Sequence, residues 1–247
     1  MKIHQAPVQR KDAFILSYLE LRRIVGFTSF ALPITLAVGK ILTSTPGVES
    51  SLSNYYYTDM RNIFVGTMCV IGLFLAACHG YDRRDSIAGK FAGICAIGIA
   101  LFPTTPDGAE QDRGYVVRAW HLPVGYIHLC FAVLLFLSVA YFCLRLFTLT
   151  STAGMTPRKR IRNRIYVACG WTTLVCIAMV LGVKFLEGQP FLVGYHPVFW
   201  IESVALVAFG VAWLTKGEWI LRDGASEHHT PVTYIDSKPL PRVSRTA

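Results

Sequence analysis

The fold of this chain is decided by its longest apolar stretch, residues 121–147, which reads HLPVGYIHLCFAVLLFLSVAYFCLRLF. Its one Lys, Arg, Asp or Glu is Arg145, close to the C-terminal end. A helix that crosses the hydrocarbon core of a bilayer needs about 20 mostly apolar residues. The stretch is therefore long enough to cross a membrane with a tilt, or to extend past its surface.

Five more stretches have the same character. They cover residues 24–43, 63–79, 86–102, 165–186 and 197–214. None of them alternates apolar and polar residues, as a strand of a membrane barrel would. The sequence therefore predicts an all-α fold, a polytopic membrane bundle of six transmembrane helices.

The composition of the whole chain agrees with this prediction. Of the 247 residues, 53% are hydrophobic and 16% are charged, and the mean hydropathy is +0.44. Soluble domains carry about 25% charged residues. These values argue against a soluble enzyme and against a disordered protein. The net charge of +9 would suggest nucleic acid only if it formed a basic face on a soluble domain.

The basic residues instead alternate between the segments that separate the apolar stretches. Residues 1–23, 80–90, 148–164 and the tail from 216 hold 18 Lys and Arg, whereas the alternate segments hold Arg61, Arg113 and Arg118. Because cytoplasmic loops of membrane proteins are rich in Lys and Arg, both termini are predicted to be cytoplasmic. We expect a multi-pass protein of a bacterial inner membrane that contacts membrane lipids and does not bind nucleic acid.

Three regions are predicted along the chain. Residues 1–23 form a cytoplasmic N-terminal segment, residues 24–222 the six-helix domain, and residues 223–247 a disordered cytoplasmic tail. Loops 44–62 and 104–120 are long enough to fold over the outer mouth of the bundle. The basic residues at 157–164 either fix the topology beside anionic headgroups or bind a specific lipid or partner.

Small residues in the third stretch indicate close helix packing. Gly89 and Gly93 are spaced as in the small-xxx-small pattern that lets membrane helices approach each other. They are expected at the centre of the bundle or, alternatively, at a dimer seam. The seven cysteines all lie within predicted spans and are expected to be free, buried and apolar in character.

Ionisable residues inside a membrane span are costly and point to function. Glu202 lies near the start of the sixth stretch and His128 at a matching depth in the fourth, on the same helical face as His121. These residues predict a ligand-binding pocket that opens to the outer face. Its candidate lining residues are Asp59, His121, His128, His196 and Glu202.

Three chemistries remain open for that pocket. His121, His128, His196 and Glu202 would be the ligands of a zinc ion if a metal is bound, although the chain has no HExxH motif and no other cofactor is expected. The same groups would also suit proton transfer or structural hydrogen bonds. Ser51, Ser53 and Thr58 with His121 suggest a hydrolase triad, but the chain lacks a G-x-S-x-G elbow.

Several motifs carry a resemblance to known families: residues 51–62 with the following Phe64-Val-Gly66, GYDRRD at 80–85, FPTTP at 102–106 and FWIE at 199–202. With them, residues 20–222 resemble an uncharacterised family of bacterial six-helix integral membrane proteins. The arrangement is distantly similar to the damage-regulated autophagy modulator family. It is also distantly similar to the membrane hydrolase superfamily of alkaline ceramidases and adiponectin receptors, whose two histidine motifs this chain lacks.

Two functions therefore follow from the sequence as hypotheses. The first is a membrane protein that binds a lipid or small ligand in an outer-facing polar pocket. The alternative is a membrane-embedded, metal-dependent lipid hydrolase.

Overall fold

The fold is described from a computed structural model of the chain. The structure describes residues 6–44, 46–78, 83–106, 116–117, 122–149, 156–186 and 194–221. Within these ranges the regular structure is helical, apart from one antiparallel pair of two-residue strands.

Each of the six apolar stretches is largely helical. The helices are α1 (Ala6–Thr43), α2 (Arg61–Ala77), α3 (Arg83–Leu101), α4 (Val124–Tyr141), α5 (Pro157–Phe185) and α6 (Pro197–Lys216). A short 3-10 helix, η1 (Ser53–Tyr57), lies between α1 and α2, and a π-helical turn, π1 (Phe142–Leu146), extends α4. Helix α1 begins well before its apolar stretch and continues through Pro33.

The predicted start of the fourth helix is wrong. Helix α4 begins at Val124 rather than at His121, because Pro123 has the extended backbone angles φ −58° and ψ 130°. Strand β2 (Leu122–Pro123) pairs with strand β1 (Val116–Val117) just before the helix. His121 therefore precedes α4, and the argument that it shares a helical face with His128 does not hold; His121 itself lies outside the described residues.

Four of the described helices are long and apolar enough to cross a membrane: Tyr18–Thr43, Val124–Leu146, Pro157–Val183 and Pro197–Lys216. The apolar helix α2 has 17 residues. Helix α3 has 19 residues, but Arg83, Arg84, Asp85 and Lys90 occupy its first half. The chain is thus a helical protein with four candidate membrane-spanning helices.

The six helices form a ring in chain order. Each helix packs against the next one along the chain, and α6 closes the ring against α1. Every helix also exposes a large apolar side chain on its outer surface: Ile34, Leu73, Ile94, Leu137, Trp171 and Val204. The cysteines are free as predicted, but four of the seven are buried, whereas Cys69 and Cys78 are half-buried and Cys130 is exposed.

Glycine pairs set two of the helix contacts. A Cβ atom on Gly93 would lie 2.5 Å from the carbonyl oxygen of Gly72, and one on Gly72 would lie 2.8 Å from that of Gly93. Gly26 of α1 and Gly210 of α6 face each other in the same way, at 3.0 and 2.8 Å. The predicted close packing at Gly93 is confirmed, and its partner is α2 of the same chain.

Candidate functional site

The chain between α1 and α2 enters one end of the helix ring. We call residues 50–60 the plug. Leu52, Tyr55 and Met60 of the plug are almost completely buried and belong to the main hydrophobic core. Burial raises the pKa of the Tyr55 hydroxyl, because it disfavours the charged phenolate. The first of the two loops predicted to fold over the mouth of the bundle therefore reaches its interior.

Glu202 holds the plug from α6. Its Oε2 accepts a hydrogen bond of 2.7 Å from the backbone N–H of Leu52, at a partly buried position. One helical turn earlier, the N–H of Phe199 donates to the carbonyl oxygen of Ser50 at 3.0 Å. An acidic side chain near the start of a candidate membrane-spanning helix thus satisfies a backbone donor that the surrounding apolar side chains cannot bind.

His128 holds the adjacent residue of the plug from α4. Its Nδ1 lies 2.7 Å from the carbonyl oxygen of Phe102, and its Nε2 lies 2.8 Å from Oγ of Ser53. Because a carbonyl oxygen only accepts, Nδ1 is the protonated nitrogen, and in the neutral ring Nε2 accepts the proton of the Ser53 hydroxyl. His128 is 4% exposed, whereas Ser53 and Phe102 are half-buried, so these hydrogen bonds are partly buried.

The other hydrogen bonds that hold the plug lie nearer the surface. Asp59 is exposed, and its Oδ2 accepts a hydrogen bond of 2.6 Å from Oγ of Ser44, at the end of α1. The hydroxyl of Tyr57 donates to the carbonyl oxygen of Thr104 at 2.6 Å. These contacts join the plug to the chain segments that follow α1 and α3.

The five predicted site residues therefore fall into different places. Glu202 and His128 lie at the same level of the bundle and bind the adjacent residues Leu52 and Ser53. Asp59 lies at the other end of the plug. His196 precedes α6 with a left-handed φ of 48°, and its side chain makes no capping hydrogen bond. His121 lies outside the described residues.

A groove runs down the bundle from Glu202. It lies between α4 and α5, with α6 at its base, and its cavity volume is about 40 Å³. Ten apolar side chains line it with Glu202, among them Leu129, Ala132, Phe136 and Leu181. Its base is a small core cluster of Cys176, Ile201 and Ala205, separate from the main core.

The described residues also bear on metal and nucleophile chemistry. They contain no group of three or more His, Cys, Asp or Glu side chains placed to hold a metal ion. For His128 to become a ligand, it would have to exchange one of its two hydrogen bonds. The contact of Ser53 with His128 has the donor order of a nucleophile and its general base, with the Phe102 carbonyl orienting the ring.

Ser53 and Phe102 are the site residues that the sequence analysis missed as partners of His128. Ser53 lies 75 residues before His128, and Phe102 lies 26 residues before His128. Neither spacing forms a recognisable motif. From the sequence, Ser53 is a candidate partner of His121 only. Folding of the plug into the ring creates the contact, so no local signal in the sequence indicates it.

Comparison with known proteins adds no further assignment. No protein-family model, no curated protein and no solved structure matches this chain. The groove, the plug and the charges of the chain itself are therefore the features that indicate function.

Proposed function

We propose that this is a six-helix integral membrane protein that binds a lipid or another small amphipathic ligand, with Glu202 meeting the ligand's polar head. The observation that carries the proposal is the groove that starts at Glu202 and continues along apolar side chains of three helices. Ligand pockets combine such apolar linings with a few convergent polar groups that fix orientation.

The six-span topology is part of the proposal. Helices α2 and α3 expose Leu73 and Ile94 on their outer surfaces, as the four longer helices expose Ile34, Leu137 and others. Exposed apolar surface on every helix suits contact with lipid on all sides of the ring. The excess of Lys and Arg in alternate segments supports cytoplasmic termini in a bacterial inner membrane.

The carboxylate indicates which headgroup the groove would prefer. The carboxylate of Glu202 accepts the hydrogen bond from Leu52 through one oxygen, and it also lines the groove. A head with an amine or hydroxyl donor would therefore bind better than an anionic head, which Glu202 would repel. An apolar tail would extend from Glu202 toward Phe136.

We predict that Ala132→Phe weakens binding of a fluorescently labelled long-chain alkylamine by about tenfold or more, because the new ring fills the groove. Binding is measured by fluorescence anisotropy of the purified protein in detergent micelles. The matched control is Ala178→Phe, since Ala178 is exposed on α5 and does not line the groove.

The same assay tests whether Glu202 binds the polar head of the ligand. The wild-type protein is expected to bind the amine more tightly than the alkyl carboxylate of equal length, and Glu202→Gln to reduce that preference. Equal binding by the Ala132→Phe and Ala178→Phe variants would contradict the groove as the ligand site.

A second candidate function is hydrolysis of a lipid, favoured by the contact between Ser53 and His128. In this reaction Nε2 of His128 takes the hydroxyl proton while Oγ of Ser53 attacks the ester carbonyl. The ester C–O bond then breaks and the alcohol leaves with the proton from His128. Water, deprotonated by His128, hydrolyses the acyl-serine and restores the Ser53 hydroxyl. A zinc-dependent version would use His128 with His121, His196 and Glu202, as expected from the sequence.

Labelling by a fluorophosphonate probe tests this second function. Ser53→Ala is expected to abolish labelling of the detergent-purified protein. Ser51→Ala is the control, because the hydroxyl of Ser51 accepts a hydrogen bond from the Asn54 backbone. If the wild-type protein is not labelled, Ser53 is not a nucleophile. If the purified protein contains zinc in stoichiometric amount, the metal-dependent version is favoured.

A further inference from the structure

Four basic side chains from three helices converge at the other end of the bundle. They are Arg22 of α1, Lys159 and Arg162 of α5, and Lys216, the last residue of α6. Arg22 and Arg162 are only 7% and 9% exposed. Lys216 follows Glu202 by 14 residues on one helix, which separates their backbones by about 21 Å. The cluster is therefore distinct from the plug and the groove.

Phe147 and the aromatic side chains packed against it lie beside the two lysines. Nζ of Lys159 donates to the carbonyl oxygen of Phe147 at 2.8 Å, and Nζ of Lys216 lies 5.3 Å from the centre of the Phe147 ring. That ring packs against Trp213 and Tyr166, with centroids 4.9 and 5.3 Å away. Both ammonium groups thus lie beside Phe147, while each lysine keeps part of its surface exposed.

Most of the described charges that act on Lys216 have its own sign. Arg22, Lys159 and Arg162 repel it, and among the described residues Asp85 of α3 attracts it. Oδ1 of Asp85 is buried and has no hydrogen-bond partner in the described part of the chain. Like charges held together away from water oppose each other, and a bound anion would relieve that repulsion.

We propose that this basic cluster binds a phosphate group, from an anionic lipid headgroup or from free phosphate, through Arg22, Lys159, Arg162 and Lys216. Guanidinium groups match phosphate oxygens with two parallel hydrogen bonds, and ammonium groups add compact positive charge. The predicted topology places this end at the cytoplasmic leaflet, where anionic lipids attract basic side chains.

Thermal unfolding in detergent tests the proposal with two probes, inorganic phosphate at constant ionic strength and phosphatidic acid in mixed micelles. Phosphatidylcholine is the neutral control for the lipid. We expect at least one probe to raise the Tm of the wild-type protein. A response to phosphatidic acid alone identifies a lipid headgroup as the source, whereas a response to both probes identifies the phosphate group itself.

Two variants of α5 make the test specific. Arg162→Gln is expected to weaken the effective affinity about tenfold, while Arg160→Gln is expected to leave it unchanged. Both changes remove one charge from the same helix, but Arg160 is exposed and Arg162 is buried. An equal loss in both variants would overturn the proposal in favour of general surface attraction.

Lys216→Gln tests the site with a variant that is not expected to be less stable than the wild-type protein. Because this change removes repulsion among the cations, the unliganded variant should have a Tm equal to or above that of the wild-type protein. Its stabilisation by the probe should fall. A wild-type protein that responds to neither probe would refute the site.

Discussion

Gly72→Ala is expected to lower the free energy of unfolding by about 2 kcal/mol, within the range for overpacked helix contacts. The added Cβ would lie 2.8 Å from the carbonyl oxygen of Gly93 and 2.8 Å from Cγ1 of Ile97. The first of these atoms belongs to the backbone of α3, so it cannot rotate away as a side chain can. Helices α2 and α3 must therefore separate to admit the methyl group.

Gly66→Ala provides the matched control on the same helix. A Cβ on Gly66 would meet no atom within 4 Å, so no packing is disturbed. Alanine also favours the helix over glycine by about 0.5–1 kcal/mol at an interior position. The two variants should thus change stability in opposite directions.

Unfolding of the purified protein in a mild detergent, followed by tryptophan fluorescence, measures both changes. A Gly72→Ala variant as stable as Gly66→Ala would contradict the close contact of α2 with α3. The pair Gly72 and Gly93 should also be coupled, because either methyl group already forces the helices apart. The double alanine variant is then expected to lose less stability than the two single losses added together.

Glu202→Ala is expected to release the plug from α6. The carboxylate is the acceptor for the backbone N–H of Leu52, and a hydrogen bond to a charged group contributes about 1.5–3 kcal/mol. Its removal leaves that donor without a partner in largely apolar surroundings. Local opening of residues 51–57 should then become about 10–100 times more frequent.

Amide hydrogen exchange with mass spectrometry measures this opening directly. Glu202→Gln keeps an oxygen acceptor at the same place and should preserve much of the protection. Glu49→Gln is the second control, since the ion pair of Glu49 with Lys40 is partly exposed and contributes at most about 1 kcal/mol. Unchanged protection of residues 51–57 in Glu202→Ala would mean that the other contacts hold the plug alone.

The helices and the close packing of α3 at Gly93 could be predicted from the sequence, because both depend on local patterns. Apolar length locates a helix such as α6, and the spacing of Gly89 and Gly93 reveals a close contact before its partner is known. Matching depths of His128 and Glu202 followed from counting residues from the ends of their stretches. The start of α4 was misplaced because the extended Pro123 and its strand pairing depend on residues outside the apolar pattern.

The plug and the basic cluster could not be predicted, because both depend on contacts between distant segments. Leu52 and Tyr55 lie in a polar loop, and only insertion into the ring makes them core residues. Arg22 and Lys216 are 194 residues apart and resemble ordinary flanking charges in the sequence. These two residues come together because α6 packs against α1, and residue spacing does not reveal that contact.

That contact of α6 with α1 also has a consequence for the synthesis of the protein. Gly26 of α1 packs against Gly210 of α6, so α1 has its glycine contact with a helix that is translated much later. Both helices are long and apolar enough to cross a membrane, and membrane helices can insert singly before they pack. Helix α1 therefore keeps an open face at Gly26 until α6 has been made. A nascent chain that stops before α6 would expose that face to the quality-control proteases of the cell.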